Sequence, residues 1–66
     1  MESNSFRLQI DNILFECIEI TDGIIIRDVD KNKFMGTSKL KLPLLDNKES
    51  QDLFKKDFFQ WFNDNL

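Results

Sequence analysis

The chain has 66 residues, 12 acidic against 9 basic, for a net charge of −3, with a single cysteine and no histidine. That length allows one small domain, and neither a disulfide nor a zinc cage can brace it, so self-association is the brace that remains. The mild acidity also excludes a mimic of DNA and a simple polyanion binder.

The polar opening Met1-Glu2-Ser3-Asn4-Ser5 lacks the basic and then apolar run of a signal peptide. Together with the unpaired thiol it predicts a cytoplasmic protein. No apolar run approaches the roughly 20 residues that span a bilayer, so no membrane segment is expected. The abundance of Ile, Phe, Asp, Asn and Lys, with no tyrosine, fits an AT-rich genome such as that of a phage.

Phe6, Leu8 and Ile10 alternate with Arg7 and Gln9, the period of a half-buried strand, which predicts a strand over 5–10. Asp11-Asn12 tolerates the left-handed backbone of a two-residue hairpin turn, and a second strand follows over 13–20. Asp22-Gly23 predicts a type I′ turn into a third strand over 24–29. The polar turn at Asp30 to Lys33 leads into a fourth strand over 33–42, ended by Pro43. Asp46 with Glu49 three residues on has the form of a capping box, and it predicts a helix over 48–65 with Asp52 spaced to pair with Lys55 and Lys56. The expected fold is therefore α+β in one small domain: a four-stranded antiparallel β-meander followed by one C-terminal α-helix packed on one face of the sheet.

Strand parity then sorts the side chains. The helix-facing side takes Phe6, Leu8, Ile10, Ile13, Phe15, Cys17, Ile24, Ile26, Phe34, Leu40 and Leu42. The outer side takes Arg7, Gln9, Leu14, Glu16, Ile18, Ile20, Ile25, Arg27, Val29, Lys33, Met35, Lys39 and Lys41. Arg7, Arg27, Lys33, Lys39 and Lys41 thus fall on one face with Glu16 as its single acid. A basic face can neutralise phosphates, although ordinary solvation explains strand lysines equally well and no aromatic platform for bases is expected beside them. Leu14, Ile18, Ile20, Ile25 and Val29 on that face give an aliphatic centre with a charged border, the anatomy of a protein contact.

On the helix, Phe54, Phe58, Trp61 and Phe62 form a stripe roughly 100° wide that suffices for the core. Phe59 and Leu53 fall outside it on opposite sides, so something besides the sheet is expected to cover Phe59. Asp57 and Asp64 sit towards the negative end of the helix dipole.

The remaining motifs are weak. Asp28-Val29-Asp30-Lys31-Asn32 opens like a calcium loop, but Lys33 and Lys39 stand where that loop needs its glycine and its bidentate glutamate. Cys17 has no histidine to activate it, the carboxylate pairs Glu16/Glu19 and Asp28/Asp30 lack room for a desolvated pocket, and Gly23 and Gly36 are isolated. No enzyme, metal or cofactor is expected. The leading expectation is a non-enzymatic protein-interaction module, a homodimer or the binder of another protein, acting through Phe59, Leu53, Leu14, Ile18 and Ile25. The alternative is a single-stranded nucleic-acid binder acting through the five basic side chains.

Overall fold

The computed structural model describes residues 4–65 and shows four antiparallel strands in an open sheet followed by one helix. Strand β1 is Ser5–Ile10, β2 Ile13–Ile20, β3 Gly23–Asp28, β4 Lys33–Ser38, and helix α1 Lys48–Asn65. The strands lie side by side in chain order, so β1 and β4 are the two edges. The ββββα order is the fold class that the periodicity implies.

The helix lies on one face only, and aromatic rings carry the contact. Phe54 meets Phe6 of β1 edge-on at 5.5 Å, Phe58 meets Phe15 of β2 at 5.2 Å, and Phe62 reaches Phe15 at 5.6 Å. Trp61 lies tilted against Phe58 at 5.5 Å and extends over Gly36 of β4. The helix thus crosses the sheet from one edge to the other. Leu8, Phe15, Cys17, Ile24, Ile26, Phe54 and Phe58 form the buried core, and edge-on and tilted ring pairs of this kind contribute beyond their area.

The first hairpin turns through Asp11, which takes the left-handed conformation at φ 56°, while Asn12 does not. The second turn corrects the reading of Asp22-Gly23. The linking residues are Thr21 and Asp22, and Gly23 is already in β3, paired with Ile20. Neither Thr21 nor Asp22 has positive φ, so no type I′ turn forms; Gly23 instead sits at φ 148° with the end of β4 against it.

The fourth strand stops at Ser38, short of Leu42. Ile24 pairs with Ser38, and Gly23 is the first residue of β3, so Lys39 onward has no strand to pair with. Leu40 and Leu42 still pack on the core, and Leu40 N donates to Ser38 Oγ at 3.2 Å. Their alternation marks burial without a ladder.

A bulge alters the parity of β4. Ile26 pairs with Gly36 but Arg27 with Phe34, so Met35 is an extra residue. An extra residue in one strand exchanges the faces of everything beyond it. Phe34, expected in the core, is turned to the outer face and is 62% exposed, while Met35, expected outside, packs against the core. Lys33, expected outside, stands opposite Asp28, whose other neighbour is the core residue Phe15.

The helix begins at Lys48, as its spacing implies, but its cap is shifted by one residue. Asn47, not Asp46, caps it: Asn47 Oδ1 accepts from Ser50 N at 2.9 Å, and Ser50 Oγ turns back to accept from Leu44 N at 2.9 Å. Asp52 forms no ion pair with Lys55 or Lys56 among the described residues.

Candidate functional site

The sheet face away from the helix is built in rows of cross-strand neighbours. One row is Ser5, Ile18, Ile25 and Thr37; the next is Arg7, Glu16, Arg27 and Phe34. Leu14 stands opposite Gln9 and accepts through its carbonyl from Val29 N at 2.9 Å. Leu14, Ile18 and Ile25 are each half-buried. The aliphatic centre expected on this face is therefore present at these three positions, although Ile20 is exposed, and no helix among the described residues lies on it.

Its charge is not the basic row expected from parity. Glu16 Oε1 accepts from Arg27 at 2.8 Å and Glu16 Oε2 from Arg7 at 3.1 Å, and the Glu16 side chain is only 13% exposed. Arg27 also donates to Asn32 Oδ1 at 2.6 Å. Both arginines are committed within the face. Lys33 belongs to the other parity, and Lys39 and Lys41 lie beyond β4, in a cleft shared with Glu19 and Asp22. The five cations are thus spread over three places.

The arginine hydrogen bonds, Arg27 first, hold the Glu16 carboxyl below its ordinary value of 4.5, against the opposing effect of burial. A carboxyl depressed in the folded state stabilises fully above its unfolded pKa, and that contribution is lost as pH falls through the folded value. Glu16→Gln is therefore expected to lower stability at pH 7 and to narrow the difference from wild type as the pH falls below about 4.5, a comparison read from urea midpoints across pH. A pH-independent difference would show that charge is not what Glu16 contributes.

Burial first, and then the neighbouring Glu16 charge, push the Cys17 thiol up to about 12, so it stays protonated at neutral pH. Asp28 is used locally, with Oδ1 accepting from Lys31 N at 3.1 Å to close the turn after β3.

The two helix positions fall on opposite flanks. Leu53, 63% exposed, borders Leu40, Lys41, Leu42 and Pro43. Phe59, 50% exposed, forms with Lys55 one wall of a groove whose other wall is Arg7, Leu8, Gln9 and Ile10 of β1. The structure brings Ile18 and Ile25 together as cross-strand partners, with Leu14 on the same face, and leaves Phe59 and Leu53 apart from them and from each other.

That groove contains a feature the side-chain pattern does not express. Glu19 N donates to Asn4 O at 2.9 Å, which makes Asn4 and Glu19 a hydrogen-bonded pair. Bonded and non-bonded pairs alternate in an antiparallel ladder, so Phe6, Leu8 and Ile10 direct their backbone groups to β2. Ser5, Arg7 and Gln9 direct theirs away from the sheet. Among the described residues, the edge strand therefore presents unpaired donors and acceptors directly beside the Phe59 ring. The signal available in the sequence was topological, since the first strand of a meander is always an edge.

No helix among the described residues is long and apolar enough to cross a membrane. Comparison with protein-family models, curated proteins and solved structures finds no significant match.

Proposed function

We propose that this chain is a non-enzymatic protein-interaction module whose contact surface is the β1 edge together with the Phe59 flank of α1. The observation that carries this reading is the groove in which the outward backbone of Arg7 and Gln9 adjoins a half-exposed phenylalanine. An edge strand beside a helix offers main-chain hydrogen bonds for affinity and a side-chain wall for specificity, the combination used to capture an extended segment. The protonated Cys17 and the absence of histidine support the non-enzymatic part.

The test is a photo-crosslinking amino acid placed at Phe59, and in parallel at Leu53, in the cells that produce the chain. Covalent adducts to protein at position 59, with few at position 53, are expected. Adducts at neither position would overturn the reading.

One observation favours the nucleic-acid alternative: Phe34, on the outer face opposite Arg27, supplies the aromatic platform that parity had denied it. Against it stand the capture of Arg7 and Arg27 by Glu16 and the scatter of the three lysines. A labelled single-stranded oligonucleotide titrated at low salt is expected to bind weakly or not at all. Tight binding that falls steeply as salt rises would establish the alternative instead.

A further inference from the structure

We infer that the β1 edge is a self-pairing site, at which a second copy of this chain docks its own β1 antiparallel to form a continuous eight-stranded sheet with Leu8 on the two-fold axis. This deepens the interaction reading by naming the partner and the register.

The two edges of the sheet are not equivalent. β4 carries the bulge at Met35, a glycine at φ 154° covered by Trp61, and a lysine at its start, all devices that discourage strand addition. β1 pairs with β2 in unbroken register over all six residues and contains no proline or glycine. It is the less guarded edge, its one charged residue, Arg7, being held by Glu16.

Side-chain chemistry then selects the register. Antiparallel partners across a symmetric seam must share a face, so the axis passes through a residue and not between two. An axis at Arg7 would set Arg7 opposite its own copy, two guanidinium groups directly across a strand pair, which is destabilising. An axis at Gln9 pairs only the last part of the strand. An axis at Leu8 sets Leu8 against Leu8, Phe6 against Ile10 and Arg7 against Gln9. Arg7 and Gln9 are the residues whose N–H and C=O point outward, so each such pair exchanges two backbone hydrogen bonds. The Gln9 side-chain carbonyl can accept from the facing arginine, while each Arg7 keeps its own Glu16 at 3.1 Å.

The other layer agrees. Phe6 and Ile10 are only partly buried in the single chain, and this register places them against each other. Both helices lie on the same side of the joined sheet, and the two Phe59 rings close over the seam from either side. The residue that the helical stripe leaves over thereby gains cover.

The experiment is sedimentation equilibrium of wild type, Gln9→Glu and Gln9→Lys, combined with amide hydrogen exchange of the wild type at dilute and high concentration. Gln9 is exposed, and circular dichroism confirms that each variant is folded. Wild type is expected to dimerise, with the Arg7 and Gln9 amides exchanging at least tenfold more slowly in the dimer. Gln9→Glu, which faces an arginine, should tighten the dimer, and Gln9→Lys should weaken it, each on the order of tenfold across the two symmetric contacts. A chain that stays monomeric at millimolar concentration overturns the inference, as does a dimer whose Arg7 and Gln9 amides remain unprotected or whose two variants shift in the reverse order. Protein adducts at position 59 from a monomeric chain would retain the interaction reading with a different partner, so the two failures are distinguishable.

Discussion

Phe58→Ala is expected to destabilise the chain more than any other single truncation and to bring its unfolding midpoint far below that of wild type. Phe58 is fully buried and is the hub of the aromatic cluster, 5.2 Å from Phe15, 6.1 Å from Phe54 and 5.5 Å from Trp61. Truncating a buried phenylalanine to alanine costs about 3–5 kcal/mol, because the lost transfer energy is joined by that of the cavity left behind. At roughly 0.05–0.15 kcal/mol per residue, a domain of this size has only about 3–10 kcal/mol in total. The loss is therefore a large fraction of the total stability, and Cys17, free and buried, provides no covalent brace. Phe59→Ala one residue along should shift the unfolding midpoint little at protein concentrations low enough to hold the chain monomeric, since its ring is half exposed. Urea titrations followed by far-ultraviolet circular dichroism and Trp61 fluorescence compare the two. Equal losses for both variants would contradict the division of the helix into a core stripe and an exposed flank.

That division was legible in the sequence, and the reason is instructive. A helix of 18 residues repeats its geometry often enough for Phe54, Phe58, Trp61 and Phe62 to declare one face. The first two strands are equally plain because Phe6, Leu8 and Ile10 keep strict alternation and the turn between Ile10 and Ile13 has only two residues. What could not be read depends on a partner strand. The bulge at Met35 is a mismatch between β3 and β4, and Phe34-Met35-Gly36 alone shows nothing that separates an inward from an outward phenylalanine. The basic face failed with it, since Lys33 changed sides at the same bulge and Lys39 and Lys41 left the sheet where β3 ran out. The free hydrogen-bonding edge was missed for a different reason: backbone groups carry no residue identity, so composition cannot register them.

Gly23→Ala is expected to destabilise the fold by about 2–4 kcal/mol, combining backbone strain with loss of pairing at the end of β4. A Cβ at position 23 would lie 2.0 Å from the carbonyl oxygen of Ser38 and 3.0 Å from Lys39 Cα, and φ is 148°, a conformation that residues with a side chain rarely adopt. The obstacle is backbone, so relief requires the Ser38 end of β4 to move away from β3, breaking the Ile24–Ser38 pair. Gly36→Ala makes the controlled contrast. At φ 154° it meets similar strain, but its Cβ would approach only the Trp61 ring, Cζ2 at 3.1 Å, which can shift by a few tenths of an ångström. Gly36→Ala should therefore cost less and change the Trp61 emission, whereas Gly23→Ala should cost more and speed hydrogen exchange at Ile24 and Ser38 while the Phe58 end of the core holds. If Gly23→Ala melts within 0.5 kcal/mol of wild type, the close approach of β4 to the second hairpin does not exist in solution. The larger loss at Gly23 would identify it as the point where the second hairpin limits the length of β4, which is also why the alternation of Leu40 and Leu42 never becomes a strand.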